Sequence, residues 1–87
     1  MSLKFFYLGG NCPVQGEGMY DEYEFYFRAR GEHWAIELTD PETQNIVMTL
    51  RVKYDKGGQF GAGWMPRDEA FLIIVSQYFK WKRDQDK

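Results

Sequence analysis

Eighty-seven residues leave room for one small domain, spanning 1–87. A 44% hydrophobic content with seven Phe, six Tyr and three Trp excludes a disordered chain. The net charge of −2 gives no bulk electrostatic pull toward nucleic acid or a membrane surface. A single cysteine, Cys12, excludes an internal disulfide, and no apolar run reaches the ~18 residues of a membrane span, so the expected setting is a reducing cytoplasm with no membrane partner.

Leu3–Leu8 reads as a short strand closed by Gly9-Gly10-Asn11, and is too short for a signal-peptide core. Cys12–Tyr20 is the second strand, with Pro13 confining it to an edge or a strand start. Tyr23–Arg30 and His33–Thr39 alternate apolar and polar on either side of Gly31-Glu32. With glycine at the turn position that demands positive φ, a two-residue type II′ hairpin sets Ala29 opposite Trp34, Phe27 opposite Ile36 and Phe25 opposite Leu38. All three pairs fall on one apolar face, so turn chemistry and burial agree.

A two- or four-residue loop around Asp21-Glu22 then places Gly18 opposite Phe25 and Gly16 opposite Phe27, bare backbone under a ring. Asp40-Pro41-Glu42-Thr43 is a type I turn, and Ile46–Tyr54 alternates as a further strand. Gly57–Gly63 lacks both the P-loop ending and the dinucleotide spacing, and reads as a connector whose Phe60 and Trp64 tuck against the core. Pro66, Asp68 and Glu69 open a helix expected to reach about Arg83. The fold class is therefore α+β, an antiparallel meander of four to five strands with one C-terminal helix packed on its apolar face.

At 100° per residue the helix is apolar over roughly 200° of its circumference, about twice what one sheet covers. Either the N-terminal strand and the glycine loop wrap the surplus, or a second copy covers it, in which case Leu72, Ile73 and Phe79 form a self-association surface. On the solvent face of the sheet one row reads Pro13, Arg30, His33, Arg51 and the next Gln15, Arg28, Ala35, Thr49, with Lys53 at the same end. Glu17, Glu24 and Glu37 occupy the other end, and Tyr26 is the one aromatic on this face. Tyr26, Arg28, Arg30, His33, Arg51 and Lys53 thus form the candidate binding patch, for an acidic protein surface or a nucleic-acid backbone.

Catalysis finds no constellation. His33 faces solvent whereas Cys12 is expected to face the core, which separates the two residues a thiol mechanism needs. One Cys and one His on opposite faces make no metal set, and no cofactor motif is present. Gly10-Asn11-Cys12-Pro13-Val14-Gln15-Gly16-Glu17-Gly18, Phe25-Tyr26-Phe27-Arg28-Ala29-Arg30-Gly31 and Gly63-Trp64-Met65-Pro66 resemble segments of small uncharacterised bacterial and prophage-borne proteins. That resemblance implies a small α+β protein of bacterial or phage origin without assigned activity, and carries no functional residues over. The resulting expectation is a non-enzymatic interaction module, homodimeric through the helix and binding an acidic partner through the sheet. A single-stranded nucleic-acid or other anion binder is the second reading.

Overall fold

The computed structural model describes residues 2–54 and 58–85, and only the backbone of 58–60. Five strands, β1 (Leu3–Gly9), β2 (Val14–Tyr20), β3 (Tyr23–Arg30), β4 (His33–Thr39) and β5 (Ile46–Lys53), form one antiparallel sheet in sequence order. A 3₁₀ segment, Gly58–Trp64, leads into helix α1, Arg67–Gln85. The chain is thus α+β, with the helix and the 3₁₀ segment packed on one face of the sheet.

The central hairpin follows its turn chemistry. Gly31 has φ +62°, and Phe25, Phe27 and Ala29 face Leu38, Ile36 and Trp34. At the preceding turn Tyr20 pairs with Tyr23, so Asp21-Glu22 is a two-residue loop with Asp21 at φ +55°. Asp is among the few non-glycine residues that tolerate this region. Its register sets Gly18 against Phe25 and Gly16 against Phe27, as the burial pattern demands.

Phe25, Phe27, Ala29, Trp34, Ile36 and Leu38 therefore share one buried face, joined by Val14 and Tyr20 from β2. Ala70, Ile74 and Tyr78 close the core from the helix, and Ala62 and Met65 from the segment before it. Fully burying one of the large side chains stabilises by about 1.5–3 kcal/mol, so these rings carry much of a small domain's stability. The Tyr20 hydroxyl, inside this core, donates to the Ile74 carbonyl at 2.5 Å, and burial pushes its ionisation up.

Coverage of the apolar face is uneven. The helix lies toward β1 and β2 and the 3₁₀ segment toward β3 and β2. On β5, Met48, Leu50 and Val52 remain half-buried. Asp21 fastens the other end of the fold: its carboxylate accepts from the Ser2 backbone N–H at 2.8 Å, the Tyr78 hydroxyl at 2.7 Å and Lys82 Nζ at 2.7 Å. Burial alone would raise that carboxyl, but these three donors and the Lys82 charge outweigh it and hold the pKa at about 2.

Three expectations for the connections need correction. Cys12 does not face the core: it is exposed, at φ +45° in the loop before β2, because strand pairing begins only at Val14 and the alternation does not extend back to it. Nor does Pro13 join a cross-strand row, for the same reason. Trp64 is 63% exposed rather than tucked against the core, where Ala62 and Met65 take the buried positions; the Phe60 side chain lies outside the described residues.

Candidate functional site

The face of the sheet opposite the helix is built from the alternate residues of each strand, because side chains in a strand point to opposite sides in turn. One row across it reads Gln15, Arg28, Ala35, Arg51, and the row beyond it reads Arg30, His33, Lys53. Arg51 was expected opposite His33 but lies two residues further along. Two extra residues account for the slip: Thr39 pairs with Ile46, so the connection is one residue longer than the expected register allows, and Leu38 pairs with Met48, so Val47 bulges out as the second. The slip is even-numbered and keeps Arg51 and Lys53 on the solvent side.

Arg28, Arg30, Glu32, His33 and Arg51 surround one open depression of about 450 Å³ floored by Ala35. The Arg51 guanidinium reaches diagonally to His33, with Nη2 3.3 Å from the imidazole Nδ1. A guanidinium can only donate, so Nδ1 accepts here and Nε2 carries the ring proton. Three strands thus present three fixed positive charges and an imidazole donor around one concavity, with Glu32 the one carboxylate among the described residues that line it. Lys53 extends the basic end through its pairing with His33, but does not line the depression.

Tyr26 does not join the arginines. It stands in the row Tyr7, Glu17, Tyr26, Glu37, Thr49, and its hydroxyl accepts from Gln15 Nε2 at 2.8 Å. Nor is it the one aromatic on the solvent face. The β1 register shifts between Phe5 and Tyr7, and the extra residue brings Phe6 and Tyr7 out beside the acidic end. Phe6 is 66% exposed and Tyr7 49%. Leu3–Leu8 is too uniformly apolar for alternation to reveal such a bulge. The solvent face therefore divides into a guanidinium-rich end and an end of rings interleaved with Glu17, Glu24 and Glu37.

On the helix, Leu72 and Phe79 are exposed as expected, but Ile73 is half-buried against the core. At 100° per residue Ile73 lies on the flank opposite Phe71, whereas Leu72 and Phe79 lie away from the face of Ala70, Ile74 and Tyr78. The exposed thiol of Cys12 stands against Gly63, where even a methyl group would come within 3.0 Å of Sγ. Among the described residues no three of His, Cys, Asp and Glu converge as a metal set, and no helix is long and apolar enough to cross a membrane.

Fold and site together define an open-faced antiparallel sheet, helix-backed on one side, with a basic depression on the other. Comparison of the chain with protein-family models, curated proteins and solved structures finds no match.

Proposed function

We propose that this protein is a non-enzymatic interaction module that docks an acidic protein segment on the basic end of its open sheet. The observation that carries the reading is the convergence of Arg28, Arg30 and Arg51 with His33 around one depression, drawn from three different strands. Guanidinium groups remain protonated throughout the working pH range, so they serve neither as general acids nor as bases. Their planar forks suit carboxylates held at a surface, where paired N–H donors give orientation as well as attraction. A depression this open suits an extended side-chain carboxylate better than an enclosed small molecule. A lone exposed thiol and no disulfide are compatible with a reducing cytoplasm.

A second reading, single-stranded nucleic acid, gains from the bulge that brings Phe6 and Tyr7 onto the same face as Tyr26, since bases stack on exposed rings. Against it, Glu17 and Glu37 flank Tyr26 in the ladder and repel phosphate. The deciding experiment is an amide-shift titration of the labelled protein with a glutamate-rich peptide and, separately, with oligothymidylate. The peptide is expected to shift Arg28, Arg30, His33 and Arg51, to weaken by about tenfold as salt screens the contacts, and to lose binding in the Arg28→Glu/Arg51→Glu variant. Shifts confined to Phe6, Tyr7 and Tyr26 with the oligonucleotide would replace the proposal with the second reading, and no shift at the arginines with either would end it.

A further inference from the structure

Helix α1 has two apolar flanks, and the sheet uses only one. Ala70, Ile74 and Tyr78 are buried against the core, whereas Phe71, Leu72 and Phe79 are 45%, 64% and 56% exposed. At 100° per residue Leu72, Val75 and Phe79 fall within about 60° of one another. With Asp68 and Lys82 they repeat at alternating spacings of four and three, the pattern of a helix–helix seam. At its N-terminal end this stripe opens into an apolar depression of about 570 Å³ between the helix and β1, walled by Phe5, Leu8, Phe71 and Leu72. The Phe5 and Phe71 rings stack there with centroids 5.2 Å apart, so the recess is a formed surface.

We propose that this stripe is a two-fold homodimer interface, with the helices of two copies crossing antiparallel at Val75. The argument for a second copy rests on self-complementarity. The stripe carries a carboxylate, Asp68, at one end and a cation, Lys82, at the other. Antiparallel pairing about Val75 brings Asp68 of each copy to the partner's Lys82, while parallel pairing would oppose like charges at both ends. Lys82 is ion-paired with Asp21 at 2.7 Å, so the partner's Asp68 would join Asp21 as a second carboxylate on the same ammonium.

Shape follows the same symmetry. Pairing about Val75 brings the partner's Phe79 to Phe71, at the mouth of the recess. Arg67, on the rim of that recess, is placed to lie over the incoming ring. A two-fold axis makes each such contact twice, protrusion into recess in both directions. From Asp68 to Lys82 the seam is about 21 Å long at 1.5 Å per residue. That footprint falls short of the ~1,600 Å² total of a standard interface, so the dimer is weak and concentration-dependent.

Sedimentation of the whole chain tests the state: the expected result is monomer at about 10 μM shifting to dimer toward about 1 mM, a weak-interface range. Asp68→Lys, an exposed change, is expected to weaken association about tenfold, with raised salt restoring part of it. The geometry is tested separately in a Cys12→Ser background. Val75→Cys is expected to link two copies by a disulfide at least ten times faster than Lys80→Cys, whose position points away from the axis. A monomer throughout the concentration range, or equal cross-linking from both positions, would overturn the proposal.

Discussion

Replacing Gly18 with alanine tests the register on which both sides of the sheet depend. Gly18 has an ordinary backbone conformation, so its substitution carries no φ penalty, and alanine even restricts the unfolded chain by about 0.4–1 kcal/mol in favour of folding. The cost is steric. A methyl here would stand 2.5 Å from Cε2 of Phe25 and 2.9 Å from the Lys4 carbonyl carbon, and would press still harder on the Lys4 carbonyl oxygen. Two of those three atoms belong to the β1 backbone, so relief requires moving a strand rather than turning a side chain.

Overpacking in cores costs about 1–3 kcal/mol where side chains yield, and a backbone clash belongs at or above the top of that range. Taking about 3 kcal/mol, a chain of this size would lose at least about a fifth of its ~4–13 kcal/mol total. The melting temperature should fall by about 12–24 °C. Gly16→Ala is the matched control: its methyl would meet Ile74 Cδ1 and Leu8 Cδ1 at 3.1 Å, both flexible tips, so about 1 kcal/mol is expected. Thermal and urea melts of the two variants measure the difference. If Gly18→Ala proved no worse than Gly16→Ala, Phe25 would not lie over Gly18, and the assignment of the arginines to the solvent face would lose its support.

Asp21→Asn should remove part of the acid sensitivity of the fold. The folded carboxyl sits at about 2, below the ~3.9 of an unfolded Asp, so its contribution is complete above about pH 4 and disappears as pH falls through 2; with solvent screening allowed for, wild type should exceed the variant by about 1 kcal/mol at neutral pH, a gap that closes in acid melts. Tyr54 titrates in the opposite sense: burial, a hydrogen bond to Glu69 and that carboxylate's charge push its hydroxyl up to about 12, so its stabilisation holds below about pH 10 and is lost between 10 and 12. Tyr54→Phe should flatten that alkaline limb in pH-dependent melts. Cys12, exposed in its loop, should react stoichiometrically with a thiol reagent in the native protein; a thiol reached only on unfolding would contradict its position.

The parts of the fold that pattern reasoning recovers are those constrained twice. In β3 and β4 the Gly31 turn and the single buried face demand the same register, and a slip of one residue would have put Phe25 and Phe27 on the face opposite Ile36 and Leu38. The edge strands lack that redundancy. On β5 a two-residue slip preserves which side is apolar, so nothing in the alternation reveals the longer connection and the extra residue at Val47 that together produce it. On β1, Leu3–Leu8 holds too many apolar residues for alternation to mark Phe6 as the bulge. Alternation does not carry back across Pro13 into the loop that holds Cys12, so it gives no information on which way that residue faces. The surplus apolar arc of the helix was readable from its breadth, but the side on which it emerged depended on where the helix crosses the sheet, which moved Ile73 inward and left Phe71 exposed.

That crossing has a consequence for binding. The helix stripe lies beside β1, whereas the basic depression lies at the β3–β5 end on the opposite side of the sheet. Two copies joined through their helices would leave both depressions open, so the dimer would present two separated anion sites. An acidic chain long enough to reach both would bind with the effective concentration set by its own length, and avidity could then exceed single-site affinity by about 10²–10⁴. Asp68→Lys separates the two effects, because it disturbs only the helix seam. It should leave the affinity for a short glutamate-rich peptide unchanged while lowering that for a long one by at least tenfold, read by calorimetry with both ligands. Equal affinities of wild type and variant for the long chain would mean that the two surfaces act independently.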